Sequence, residues 1–189
     1  MTGVDSRKGA GIALAVLAFA AVLVGCSSGA SQDAAAELTA LRSELQELRD
    51  RERIRELLIE YGRRIDARDF AGFGQLFAED GEYVSAGTTS RGPEAIAAFL
   101  EDIFQRNPSG IASPNFHVFF NETIDVEGDQ ARAVSMSFFV VPGERGAPQV
   151  LMLGSYDDEL VRDEDGRWKF RRRVVKGELP APRSASTQR

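Results

Sequence analysis

Cysteine, histidine and tryptophan each occur once in these 189 residues, as Cys26, His117 and Trp168. A single cysteine cannot close a disulfide within the chain, so the fold must rest on a packed core. A single histidine excludes the His-rich ligand sets of zinc centres, and no metal is expected. Long apolar runs are also missing. The longest, residues 12–24, has 13 residues, short of the ~20 that a membrane-spanning helix needs. Positive charge is in deficit: 23 Lys and Arg stand against 29 Asp and Glu, a formal net charge of −6. That balance argues against a nucleic-acid partner, because phosphate binding requires clustered cations. Aromatic mass is plentiful, with 12 Phe and 3 Tyr, enough to build the core of one domain.

The first segment has a specific shape. Arg7 and Lys8 precede the apolar run, which closes on Leu23, Val24, Gly25 and Cys26. This order resembles the lipobox of bacterial lipoproteins. The resemblance implies that 1–25 is a signal peptide cut before Cys26. The Cys26 thiol would then carry lipid, and the acylated chain would be held at a membrane. The alternative is an ordinary secretory signal followed by a stray thiol. Ser27, in place of Asp, implies sorting to the periplasmic side of the outer membrane in a Gram-negative cell. Residues 26–36 are small and polar and read as a flexible tether.

Leu38, Leu41, Leu45 and Leu48 then recur at steps of three and four, an a/d seam with charges on the other faces. Residues 37–52 therefore read as a helical stalk, which either pairs with another copy or simply continues into the next helix. From residue 53 the apolar stripe shifts to Ile54, Leu57, Leu58, Tyr61 and Ile65, as expected where a helix enters a globular domain. A short helix carrying Phe70, Phe73, Leu76 and Phe77 follows a break at 66–69. A short strand is expected at 82–85. A third helix starts at Gly92 and Pro93, since proline suits a first helical turn, and ends near Asn107. Four strands follow, at 117–126, 130–141, 149–161 and 168–176, separated by Gly, Asp and Pro turns. Residues 179–189 read as a disordered tail. Helices first and a meander of long strands afterwards predict an α+β domain over 53–178. Its strongly bent, cone-shaped mixed or antiparallel sheet would have N-terminal helices closing a pocket.

The residues Ile54, Leu57, Leu58 and Tyr61, then Asp66, Asp69 and Phe70, then Leu76, Phe77, Asp80 and Gly81 recur in an order that resembles a known family. Arg91, Gly92, Pro93 and Ile96 continue it, with His117, Gly154, Tyr156, Asp158, Gly166, Trp168 and Arg173 beyond. The chain is similar to the SnoaL-like branch of the nuclear-transport-factor-two-like superfamily, whose fold is a cone. Within that branch it resembles bile-acid dehydratase and scytalone dehydratase types. The first type uses a Tyr and an Asp five residues apart on the first helix and a His on the first long strand, places matched by Tyr61, Asp66 and His117. Scytalone dehydratase uses a second His, which this chain does not have. Lys176 lies near the place where the bile-acid type has a functional Arg. Asp157 falls near a ligand-contacting Asn of scytalone dehydratase. Fold alone does not fix activity.

The chemistry these three residues permit is β-elimination or isomerisation. Imidazole titrates near neutrality, which suits His117 as the base. Asp66 would hold its tautomer and stabilise the charged ring. Tyr61 would donate to a substrate oxygen that gains charge. Each has a bland reading as well: His117 hydrogen-bonded within the core, Asp66 as a helix cap, and Tyr61 as core with its hydroxyl satisfied. Phe77, Tyr83, Phe119, Phe138, Met152, Asp157 and Arg173 are the expected ligand-binding set. Period-two alternation puts Arg171 and Arg173 on one face and Arg172 on the other. It leaves open whether Asp157 or Asp158 points inward. Adjacent Phe pairs place aromatics on both sheet faces, and the outward set suits a homodimer.

Three functions compete. One is a membrane-anchored, cofactor-independent dehydratase or isomerase for a hydrophobic, ring-containing small molecule. The second is a non-catalytic lipoprotein that binds a hydrophobic ligand. The third is a structural dimer driven by the leucine-rich helix.

Overall fold

The computed structural model describes residues 11–107 and 114–179, with side chains from residue 31. The Cys26 side chain and the tail beyond 179 lie outside the described residues. Compact packing divides the chain into two units, residues 1–47 and 48–189.

Within the first unit the described residues are helical. They open α1 (Gly11–Asp66), a single helix that continues into the second unit. It runs through 26–36, where the sequence suggests a flexible tether. Ala34, Ala35, Ala36 and Glu37 are strong helix formers and favour continuation over fraying. Among the described residues, no helix is long and apolar enough to cross a membrane.

The second unit is α+β. The C-terminal part of α1 buries Ile54, Leu57, Leu58, Tyr61 and Ile65. Asp50, further up the same helix, is also buried. It accepts from Arg162 Nη2 at 2.8 Å and from Trp168 Nε1 at 3.2 Å. This clamp ties α1 to the last two strands. The short helix α2 (Phe70–Gly74) is capped by Asp69, which accepts from the Gly72 N–H at 2.9 Å. Helix α3 (Pro93–Arg106) starts on proline and ends at Asn107 in the left-handed conformation, φ 40°.

The strands are β1 (Phe77–Ser85), β2 (Thr88–Arg91), β3 (Phe116–Glu127), β4 (Gln130–Pro142), β5 (Pro148–Arg162) and β6 (Trp168–Leu179). They form one six-stranded sheet in the order β2-β1-β6-β5-β4-β3. Among the described strands only β1 and β6 run parallel, so the sheet is mixed. Two features escape the sequence pattern. β1 begins at Phe77 rather than residue 82, and β2 pairs with it through a two-residue turn at Ala86 and Gly87. Both turn residues have positive φ, 49° and 79°. That is an ordinary hairpin turn, but alanine at its first position hides the usual Asn-Gly signal.

Bulges bend the sheet. The β3–β4 register shifts between Phe120 and Thr123, with Asn121 at φ 54°. Across it the inward phase changes from His117 and Phe119 to Ile124 and Val126. A second shift, between Glu159 and Leu160 against β6, brings both Phe170 and Arg173 to the concave face. The core sits there, in a cluster that joins Ile54, Leu58, Tyr61, Phe73, Phe77, Tyr83, Ile96, Tyr156 and Phe170. On the convex face Phe116, Val118, Val134 and Phe138 are exposed.

Candidate functional site

The last residue of α1 meets the second residue of β3. Asp66 Oδ1 lies 2.6 Å from His117 Nδ1, while its Oδ2 accepts from the His117 backbone N–H at 2.9 Å. One carboxylate thus fixes both the ring and the main chain of the same residue. An ionised carboxylate only accepts, so Nδ1 is the donor, and in a neutral ring Nε2 then keeps the lone pair. The ring also packs on Phe139 with centroids 4.7 Å apart.

Two local features allow this meeting. Gly62 lets α1 approach β3: a Cβ there would lie 3.1 Å from the Phe119 ring and 3.4 Å from His117 Cβ. After Asp66 the chain reverses at Arg68, φ 62°. The Arg68 guanidinium donates to Ile65 O at 2.8 Å and to Asn115 Oδ1 at 3.2 Å, and lies 4.0 Å above the Phe104 ring.

His117 lines a cavity of about 440 Å³ together with Tyr61, Tyr83, Phe139, Met152 and Tyr156. Ile65, Leu100, Ile103, Phe104, Leu151 and Val175 complete mostly apolar walls, joined by Ser85. The Tyr61 and Tyr83 hydroxyls are 3.3 Å apart. Burial pushes the Tyr61 phenol well above its usual range and raises Tyr83 as well. Both therefore remain neutral donors. The Tyr83 hydroxyl is also hydrogen-bonded to the Ser85 side chain. Tyr156 is also raised by burial, and its hydroxyl pairs with Ser137 Oγ at 3.0 Å.

Behind this wall lies a buried charge pair. The Arg173 guanidinium stacks 3.8 Å from the Tyr61 ring, 4.3 Å from Tyr156 and 4.5 Å from Phe170. Its Nε is 3.4 Å from Asp158 Oδ1, and both residues are wholly buried. Among the described residues, neither side chain has a hydrogen-bond partner. Burial raises the Asp158 carboxyl to about 6, with Arg173 acting in the opposite direction.

The structure brings together Tyr61, Tyr83, His117 and Met152 at the cavity, with Asp66 directly behind His117. Other residues of the expected ligand-binding set fall elsewhere. Phe77 is core, its ring 5.2 Å from Phe170. Phe119 packs behind the wall, 5.9 Å from Tyr61 and 5.1 Å from Tyr156. Arg173 supports the wall from beneath Tyr61 without lining the cavity. Phe138 lies on the convex face against Phe120, 4.6 Å between centroids. Asp157 is exposed, because β5 keeps one phase from Met152 to Leu160 and turns Asp158 inward instead. Arg172 pairs with Glu82 on β1 at 3.6 Å. Tyr156 and the α3 residues Leu100, Ile103 and Phe104 line the cavity without having been expected to. Tyr156 and Leu160 share a phase with Asp158, a signal that favours the inward placement. Among the described residues, no group of three or more His, Cys, Asp or Glu could hold a metal ion.

A curved mixed sheet closed by helices over a hydroxyl-bearing apolar cavity defines a cone-fold protein of the nuclear-transport-factor-two-like superfamily. Residues 46–174 match the SnoaL-like domain, and the chain belongs to that family. An uncharacterized protein of Mycobacterium tuberculosis is 32% identical over 133 residues, which cover 68% of this chain and 85% of the relative. A solved NTF2-like protein with a cystatin-like fold from Novosphingobium aromaticivorans is 31% identical with a TM-score of 0.66, over 76% of this chain and 92% of its own. A candidate scytalone dehydratase from the same organism is 25% identical with a TM-score of 0.57, over 70% and 87% of the two chains.

Proposed function

We propose that this protein is a cofactor-independent dehydratase or isomerase for a hydrophobic, ring-containing small molecule that carries a carbonyl and a β-hydroxyl. The observation that carries this reading is convergence: a carboxylate-held imidazole and a pair of neutral phenols open onto one apolar cavity. His117 Nε2 takes the proton α to the carbonyl. Asp66 stabilises the imidazolium so formed. The Tyr61–Tyr83 pair donates to the carbonyl oxygen as it gains enolate charge. In dehydration the enolate re-forms the carbonyl and expels the β-hydroxyl, which leaves as water with the imidazolium proton, and a carbon–carbon double bond results. In isomerisation the same proton returns to a different carbon. The likeness to a candidate scytalone dehydratase supports a ring substrate.

The test is turnover of cyclic β-hydroxy ketones, followed by the ultraviolet absorbance of the conjugated product. His117→Ala abolishes turnover and leaves the circular dichroism spectrum unchanged. Full activity in that variant overturns the reading. The mostly apolar walls favour a second reading, a non-catalytic binder of a hydrophobic ligand. Retention of unchanged ligand by both the wild type and His117→Ala identifies that case.

We propose that the chain is lipid-anchored at the bacterial envelope through Cys26, on the strength of the residues before it. Metabolic labelling with an alkynyl fatty acid tests this. Label lost in Cys26→Ser supports the anchor, and an unlabelled wild type refutes it.

A further inference from the structure

We propose that α1 docks against α1 of a second copy of this chain, as a parallel, in-register, two-stranded coiled coil over residues 37–49. On this helix Leu38, Leu41, Leu45 and Leu48 are 47%, 55%, 47% and 59% exposed, a leucine stripe that its own chain does not cover. Their spacing assigns Leu38 and Leu45 to a positions and Leu41 and Leu48 to d positions of two successive heptads. The flanking g positions are then Glu37 and Glu44, and the e positions are Arg42 and Arg49.

The charge pattern selects the partner and its direction. In a parallel, in-register pair each g residue faces the e residue of the next heptad on the other helix. Glu37 would face the second copy's Arg42, and Glu44 its Arg49, so every such pair attracts. In an antiparallel pair g meets g and e meets e, which sets Glu against Glu and Arg against Arg. The same chain supplies both halves of each favourable pair, as a homodimer requires. Among the described residues, none of these four charges has an ion-pair partner within its own chain. Two heptads are weak in isolation. Anchoring of both copies through Cys26 would raise their local concentration and impose the same parallel direction. The complementarity of these charges is independent of that anchor.

Disulfide trapping in the full chain, in a Cys26→Ser background within cells, tests the arrangement. Leu41→Cys and Leu48→Cys, at d positions, each give a disulfide-linked dimer on oxidation. Ser43→Cys, at an outward f position, does not. Glu37→Lys with Glu44→Lys lowers the trapped fraction of the Leu41→Cys chain by about fivefold. Addition of Arg42→Glu and Arg49→Glu restores it. Three results overturn the proposal: no trapped dimer at positions 41 and 48, equal trapping at 43, or preferential trapping between a Leu38→Cys chain and a co-expressed Leu48→Cys chain. The last would mark an antiparallel pair.

Discussion

Asp158 and Arg173 face each other across the β5–β6 ladder, with 3.4 Å between Oδ1 and Nε and no exposed surface on either. Four aromatic rings surround the guanidinium, and the nearest belongs to Tyr61, which lines the cavity. The cavity wall therefore rests on a buried ion pair. A pair of this kind contributes little net stability when intact and destabilises strongly when one member is removed.

The carboxyl of Asp158 is raised from 3.8 to about 6. The folded protein therefore binds this proton more tightly than the unfolded chain. The stability it contributes is fully present below about pH 4, is lost as pH rises toward 6, and changes little above that. The change amounts to about 3 kcal/mol across the window. Asp158→Asn lacks it, so the stability of the wild type relative to Asp158→Asn should decline from pH 4 to pH 6 and then level. Urea unfolding of both proteins at matched pH values checks this. A difference that rises with pH contradicts it.

Removal of the cation alone strands an anion. Arg173→Met should destabilise the protein by about 3–5 kcal/mol at pH 7, and by less at pH 4, where Asp158 is protonated. Replacement of both, as Arg173→Met with Asp158→Leu, should recover most of that loss. A double-mutant cycle of urea midpoints measures the coupling. Simple additivity of the two single losses would exclude it.

Asp66 accepts two hydrogen bonds from one residue, and an amide cannot reproduce both. An Asn that accepts from Nδ1 turns its NH2 toward the His117 N–H, donor against donor. Asp66→Asn should lower kcat by about 10²–10⁴-fold and stability by about 1–3 kcal/mol. Steady-state rates and urea midpoints report the two effects separately. Unchanged kcat in a destabilised protein would make Asp66 a structural residue only.

Met152 is half-buried on β5 and lines the cavity. Met152→Trp should fill part of the 440 Å³ and weaken ligand binding at least about tenfold, while circular dichroism stays unchanged. Titration with a ring-containing ligand that quenches Trp168 and the new indole is the measurement. Undiminished binding would place the ligand elsewhere.

The architecture was legible because it depends on periodicities that span many residues. Ile54, Leu57, Leu58, Tyr61 and Ile65 mark a helix face, and the four C-terminal strands alternate clearly between Gly and Asp turns. The Tyr61, Asp66 and His117 grouping was legible through the family resemblance rather than through spacing. Nothing in a chain separation of 51 residues between Asp66 and His117 requires a 2.6 Å contact. The second phenol of the pair, Tyr83, is among the expected ligand residues, but its 3.3 Å approach to Tyr61 depends on tertiary packing.

What remained hidden depends on register. In the run Asp157, Asp158, Glu159 a shift of one residue exchanges core for solvent, and composition alone does not choose. The phase set by Tyr156 and Leu160 competes with that of Leu153 and Val161, and only strand pairing decides. Phe138 and Phe139 pose the same problem, as do Arg172 and Arg173 next to the β6 bulge. By itself the sequence determined the class of fold, the order of its helices and long C-terminal strands, and the chemical types available, because these follow from local propensity and long-range pattern. Tertiary structure decided which of each adjacent pair enters the cone and which groups meet there, Asp66 with His117 and Tyr61 with Tyr83. A bulge changes strand phase through backbone geometry, and that geometry is fixed by neighbouring strands rather than by the residues that carry it.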